Sequence, residues 1–130
     1  MARTPAQRAR IAALNDQARR AFYFFSDVYE TIGFVALPHH DRQAARLAVE
    51  SYDGFDAATD PDGEHDYGVI FRLDDGRWVS GPEWRKESLM VVCWKFDYFD
   101  QKRIHPSPEP WDSAVTRRKL TIGLEDEMIS

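Results

Sequence analysis

The sequence predicts an α+β fold: a small antiparallel β-meander sheet packed against two or three helices in a single domain. Three observations carry this prediction. Residues 67–98 alternate apolar and polar positions around a tight Asp75-Gly76 turn, the period of paired strands. Residues 11–25 and 44–52 carry their apolar side chains at helical spacing instead. The 130 residues contain no linker, internal repeat or low-complexity tract, and single domains cluster near ~100–150 residues.

The first helix has a start signal. Thr4 can cap, Pro5 suits the first helical position, and Gln7 stands where a capping box places its amide. Ile11, Leu14, Ala18, Phe22 and Phe25 then form one stripe, and the arginines lie mostly off it. Phe22 to Phe25 is a dense aromatic run, and Val28 to Leu37 is rich in β-formers. A helix ending near residue 24 and an extended segment reaching Ala36 are expected, with helix or strand both open for residues 25–36. Pro38 opens a second helix, with Asp41 as its expected cap. Its alanines at 44, 45 and 48 permit close approach to a sheet. Gly54 breaks the helix, and residues 53–66 form an acidic loop turned at Asp60-Pro61-Asp62-Gly63.

Next come the strands. Tyr67, Val69 and Phe71 alternate with Gly68, Ile70 and Arg72. Asp75-Gly76 turns the chain into a short return strand, Arg77 to Ser80, ended by Gly81-Pro82. Residues 88–98 form the clearest strand, with Met90, Val92, Trp94, Phe96 and Tyr98 on one face. The buried sheet face is expected to be Tyr67, Val69 and Phe71 together with Met90, Val92, Trp94 and Phe96. The other face of the long strand turns from apolar (Leu89, Val91, Cys93) to charged (Lys95, Asp97), as at the mouth of a polar cleft or solvent. Pro106, Pro108 and Pro110 exclude a helix or central strand at 100–111. Asp112 or Ser113 can cap a last helix running to about Met128, with Leu120, Leu124 and Met128 on one face. Leu120, Ile122 and Leu124 also alternate, so a strand at 119–125 stays open.

Composition narrows the function classes. Seventeen Lys and Arg against 22 Asp and Glu give a net charge of −5, which argues against a general nucleic-acid binder with a basic face. The charge is uneven. Residues 1–20 hold Arg3, Arg8, Arg10, Arg19 and Arg20 against Asp16, a local +4. Residues 53–66 hold Asp53, Asp56, Asp60, Asp62, Glu64 and Asp66 with no Lys or Arg, a local −6. Such blocks are either solvated faces or charged docking surfaces. Cys93, the single cysteine, excludes an intramolecular disulfide framework, a Cys-rich zinc site and a CxxC redox centre. With no apolar run near the ~20 residues of a membrane span and no signal-peptide core, a cytoplasmic protein is expected.

Several blocks in order carry a family resemblance. They are Ala13-Leu14-Asn15-Asp16, Val49 to Phe55, Asp60-Pro61-Asp62-Gly63-Glu64-His65-Asp66-Tyr67-Gly68, Trp94 to Asp100, and Ser113 to Arg117 with Leu120-Thr121-Ile122. Together they resemble the domain of unknown function 3768 family, small bacterial proteins. The Asp-Pro-Asp-Gly-Glu-His-Asp and Trp-Lys-Phe-Asp-Tyr blocks are the specific parts. The chain departs from the family in a longer hairpin at about 72–90 and in the aromatic stretch at 22–32. The resemblance implies no chemistry and no cofactor. It implies cargo of plasmids and other mobile elements, with an accessory or anti-defence role of anti-CRISPR or anti-restriction type.

Asp60, Asp62, Glu64, His65 and Asp66 are dense in oxygen and imidazole donors. An EF-hand beginning at Asp60 would need its bidentate Glu where Phe71 stands, so that reading fails. The alternatives are a structural loop, in which Glu64 and Asp66 accept backbone N–H groups, and a looser metal site with Asp97 or Asp100. Lys95 and Asp97, two apart on one strand face, are an ion pair or part of a polar pocket with His65. Cys93, among Val91, Val92 and Trp94, reads as an inert buried thiol. No nucleophile elbow and no Gly-rich phosphate loop occurs. In the hairpin, Trp78, Trp84 and Arg85 interleave aromatic and basic character. The leading expectation is therefore a non-enzymatic factor that occludes the surface of a protein partner. Its contacts would come from Asp60, Asp62, Glu64, His65, Asp66, Trp78, Trp84, Arg85, Lys95, Asp97 and Asp100. A hydrolase using the carboxylate–His set, metal-assisted or acid–base, is the first alternative, and a nucleic-acid-binding regulator the second.

Overall fold

A computed structural model of the chain describes residues 2–128. Helix α1 (Pro5–Arg20) begins on its predicted signal. Thr4 Oγ1 accepts the Gln7 N–H at 3.1 Å, and Gln7 Oε1 accepts the Thr4 N–H at 2.9 Å. It stops at Arg20, earlier than the spacing suggests. Ala21 leaves helical conformation (φ −145°, ψ 57°), and a separate turn, α2 (Phe22–Phe25), follows. That break lets Phe22 drop into the core while its aromatic neighbours stay outside. The extended segment expected to reach Ala36 is short. Strand β1 (Asp27–Glu30) gives way to α3 (Ile32–Val35), where Thr31 Oγ1 accepts the Phe34 N–H and Phe34 is buried.

Helix α4 (His39–Glu50) starts directly after Pro38, so Asp41 falls inside the first turn and is not the cap. Its carboxylate receives Arg72 Nε at 2.9 Å instead, tying the helix to the sheet. The sheet strands that follow are β2 (Tyr67–Arg72), β3 (Trp78–Val79), β4 (Met90–Phe99) and β5 (Arg117–Leu124); a short α5 (Glu125–Met128) closes the described chain. Their order is β1-β5-β4-β2-β3, with β1 parallel to β5 and the other pairs antiparallel. The α+β class and mostly antiparallel sheet are those predicted, but the strands are not in meander order. β3 pairs on the outside of β2, and the 3₁₀ turn Pro82–Glu87 carries the chain around that edge so that β4 pairs on the inside.

Two expectations give way to packing. The last segment is a strand, not a helix. Leu120 and Ile122 lie opposite Phe96 and Trp94 and are fully buried between β4 and β1. An eight-residue strand there satisfies backbone groups on both sides, which a helix on the surface could not do for β1 and β4. The second correction concerns the buried face of β2. Gly68 pairs with Trp94 and Ile70 with Val92, so these share the helix side, while Tyr67, Val69 and Phe71 point to the opposite face. Gly68 is glycine because Trp94 lies against it: an added Cβ would stand 2.4 Å from the indole Nε1. The core is Ala18, Phe22, Phe34, Ala45 and Val49 from the helical side against Ile70, Val92, Trp94, Phe96, Leu120 and Ile122 from the sheet. Among the described residues, no helix is long and apolar enough to cross a membrane.

Candidate interaction surfaces

The acidic loop is built inward at its end. The Asp60 carboxylate accepts the Glu64 and His65 N–H groups at 3.1 and 3.2 Å. That turn holds His65 at a left-handed φ of 56°. Glu64 is buried, and both its oxygens receive Arg3 Nη1, at 2.8 and 2.9 Å. Its carbonyl accepts from Asn15 Nδ2 at 3.0 Å. His65 stacks on Phe55, with centroids 4.0 Å apart and rings 2° from parallel. Its Nδ1 lies 2.9 Å from Asp16, and Nε2 lies 3.8 Å from Asp60. Arg19 joins the corner by bonding Asp16 and the Tyr52 carbonyl, with its guanidinium over Phe55 and Trp94. Burial, and then the Glu64 and Asp60 charges, hold the Asp66 carboxyl above its ordinary value. Asp60 and Glu64 are thus fold-forming groups, and Asp62 stays exposed. The acidic partner of the His65 ring is thus Asp16 of α1, and not Asp97 of the polar pocket that the sequence leaves open.

Lys95 and Asp97 pair with each other at 3.4 Å, on the other side of the sheet from His65. They share that face with Tyr67 and Thr121, whereas His65 sits against α1 and Phe55. The structure therefore does not bring the carboxylate–His–Lys set into one pocket. Asp100 accepts the Ile104 N–H at 3.0 Å and closes the turn that follows β4. Among the described residues, no group of three or more His, Cys, Asp and Glu could hold a metal ion. Cys93 is buried beside the Tyr67 hydroxyl, and burial pushes its thiol up, as expected for an inert position. The hairpin trio is divided as well. Trp78 and Trp84 line a groove with Tyr52 and Asp53 on the helix side. Arg85 lies over Phe71 on the opposite face and forms a fork with Glu125 at 2.8 and 2.9 Å.

Exposed large apolar side chains gather elsewhere, in the stretch expected to be the end of the first helix and an extended segment to Ala36. Tyr23, Phe24 and Phe25 of α2 are 61%, 87% and 54% exposed. Tyr29 of β1 and Ile32 and Val35 of α3 are exposed too, Tyr29 and Ile32 in a separate groove with Lys95, Asp97 and Thr121 on the other face of the sheet. These side chains bracket β1, an end strand of the sheet. Its two carboxylates are internally occupied. Asp27 receives Arg103 at 2.7 Å and Arg117 at 3.0 Å, and Arg103 foremost holds its carboxyl down to about 2. Glu30 is gripped by Arg46 of α4. Natural edge strands are usually shielded by free charge, and this one is not. The signal in the sequence was the aromatic density at 22–32 itself, which elsewhere means core.

Fold and surfaces together define a small α+β protein with a sheet covered by helices on one side and its most apolar exposed residues at one edge. The chain belongs to the DUF3768 family, described as "Protein of unknown function (DUF3768)", whose model matches residues 30–127. The matched span begins within β1, so α2 and its aromatic residues precede it. No curated protein and no solved structure gives a significant match.

Proposed function

We propose that the chain is a non-enzymatic, cytoplasmic protein-binding factor that acts by covering a surface of its partner. One observation carries the reading: Tyr23, Phe24, Phe25, Tyr29, Ile32 and Val35 are exposed aromatic and aliphatic side chains within one short segment that includes an edge strand. Exposed large apolar residues gathered in one segment mark interaction sites, and aromatic residues are the usual anchors of interfaces. The acidic loop contributes through Asp62, and through Asp53 and Asp56 at its start, all exposed. Trp78, Trp84 and Arg85 serve the hairpin edge rather than a single tip. An accessory role in a phage or plasmid, of the anti-defence inhibitor type, is the biological setting that the family resemblance suggests for such a factor.

The test is affinity capture from a bacterial lysate with three baits: wild type, Phe24→Asp with Ile32→Asp, and Asp62→Lys. A protein retained by wild type and lost on the first variant is the expected result. Retention unchanged by both variants would remove the reading.

A further inference from the structure

We propose that the groove between α1, α2 and the 100–117 loop receives an acidic residue of an extended partner segment, whose neighbouring apolar side chains lie on Phe24 and Phe25. This rests on the protein-binding reading above and adds the chemistry of the partner. The groove measures about 410 Å³ and is lined by Tyr23, Phe24, Phe25, Asp27, Arg117 and Arg118 among others. Its size falls within the range of ligand clefts.

Charge selects an acidic guest. Arg118 is 6% exposed, and its guanidinium bonds only neutral acceptors, Asn15 Oδ1 at 2.7 Å and the Pro110 carbonyl. Among the described residues, it makes no ion pair, and its one aromatic neighbour in cation–π geometry is Tyr98. A buried cation without a counter-ion is costly, and a guest carboxylate would supply one. Arg103 and Arg117 share the single carboxylate of Asp27. The groove lining thus sets Arg117 and Arg118 against Asp27, and Arg103, bound to Asp27 from outside the lining, brings the vicinity to +2 in a chain whose total is −5. Arg10 of α1 adds its positive field at Arg118.

The same charges choose among occupants. A second copy related by a two-fold axis would bring an identical +2 against this one. Its own edge carboxylates, Asp27 and Glu30, are already held by Arg103, Arg117 and Arg46. A nucleic acid would have no use for the backbone edge of β1, which an extended polypeptide can pair with. An acidic, apolar peptide segment matches the cations, the aromatic rim and the strand edge together.

Amide resonances of the full-length ¹⁵N-labelled chain, followed during titration with Ac-Glu-Phe-Glu-Val-Glu-Phe-NH₂, test this directly. Shifts are expected at residues 23–27 and at Arg117 and Arg118. The counterpart with Gln for every Glu should bind roughly fivefold more weakly, about 1 kcal/mol for one exposed ion pair. Arg117→Glu and Phe24→Ala, both at exposed or half-exposed positions, should each weaken the acidic peptide by a similar factor. The proposal is overturned by an absence of shifts, by equal binding of the Gln peptide, by equal shifts with oligo(dT), or by a dimer in sedimentation that buries this face. If captured protein depends on Phe24 but not on Arg117, protein binding stands and the acidic guest does not.

Discussion

Asn15 shows how one buried polar side chain organises this molecule. It is fully buried, donates to the Glu64 carbonyl and to the Tyr98 hydroxyl, and accepts from Arg118 Nε. Asn15→Leu keeps the branched shape, at somewhat larger volume, but strands the Arg118 Nε–H and the Glu64 carbonyl. It should destabilise by roughly 2–4 kcal/mol, read as a lower urea midpoint at unchanged slope. Gly68→Ala tests the strand register. The added Cβ meets Trp94 and Tyr52, and overpacking should cost roughly 1–3 kcal/mol in the same measurement. Asp66 supplies a pH signature. Its carboxyl is raised in the fold by burial and by the Glu64, Asp60 and Asp62 charges. Below the unfolded carboxyl value of ~3.9 both states are protonated and Asp66 costs nothing. As pH rises through the folded value, its ionisation destabilises the fold. Asp66→Asn should therefore raise Tm at neutral pH, and thermal melts should show that gain closing at about pH 4.

Among the elements, legibility followed the strength of local signals. The capping box of α1, the alternation of β4 and the Asp75-Gly76 turn name their structures directly, and each stands where its residues place it. β5 was ambiguous because Leu120, Ile122 and Leu124 fit a period of two, while Leu120, Leu124 and Met128 fit a helix. Only the slot between β1 and β4 decides. β2 was assigned the wrong inward face because Gly68 looks like a weak position until Trp94 is seen to fill its space. The turn at Asp60-Pro61-Asp62-Gly63 is legible in the sequence, but Asp60, not Glu64 or Asp66, accepts its backbone N–H groups, and the partners of Glu64 and His65 come from α1 and its N-terminal flank, remote in sequence. The aromatic turn α2 hid best, since four successive aromatics invite a core assignment and only Phe22 is buried. Phe24→Asp should accordingly leave the unfolding free energy, read from urea titration, within about 0.5 kcal/mol of wild type while abolishing partner retention.

Across the whole molecule, the sheet separates the candidate groups. His65 belongs to the helix side with Asp16 and Phe55, and Lys95 and Asp97 to the other. Trp78 and Trp84 are likewise divided from Arg85. What the fold leaves concentrated is surface: an apolar edge at β1, a cationic groove beside it, and an acidic loop packed along α1 at Asn15 and Asp16. The overall class was readable from periodicity, because helices and strands repeat differently along the chain. The distribution of function over faces was not, because it depends on strand order and on which side of β4 each neighbour falls.

The most direct measurement is hydrogen–deuterium exchange of the full chain, free and bound to the protein it retains from lysate. Slowed exchange across residues 22–35, with the His65 corner unchanged, is the expected footprint. Protection confined to the His65 corner or absent from β1, or an enzymatic activity lost on His65→Ala with the fold intact, would contradict the account.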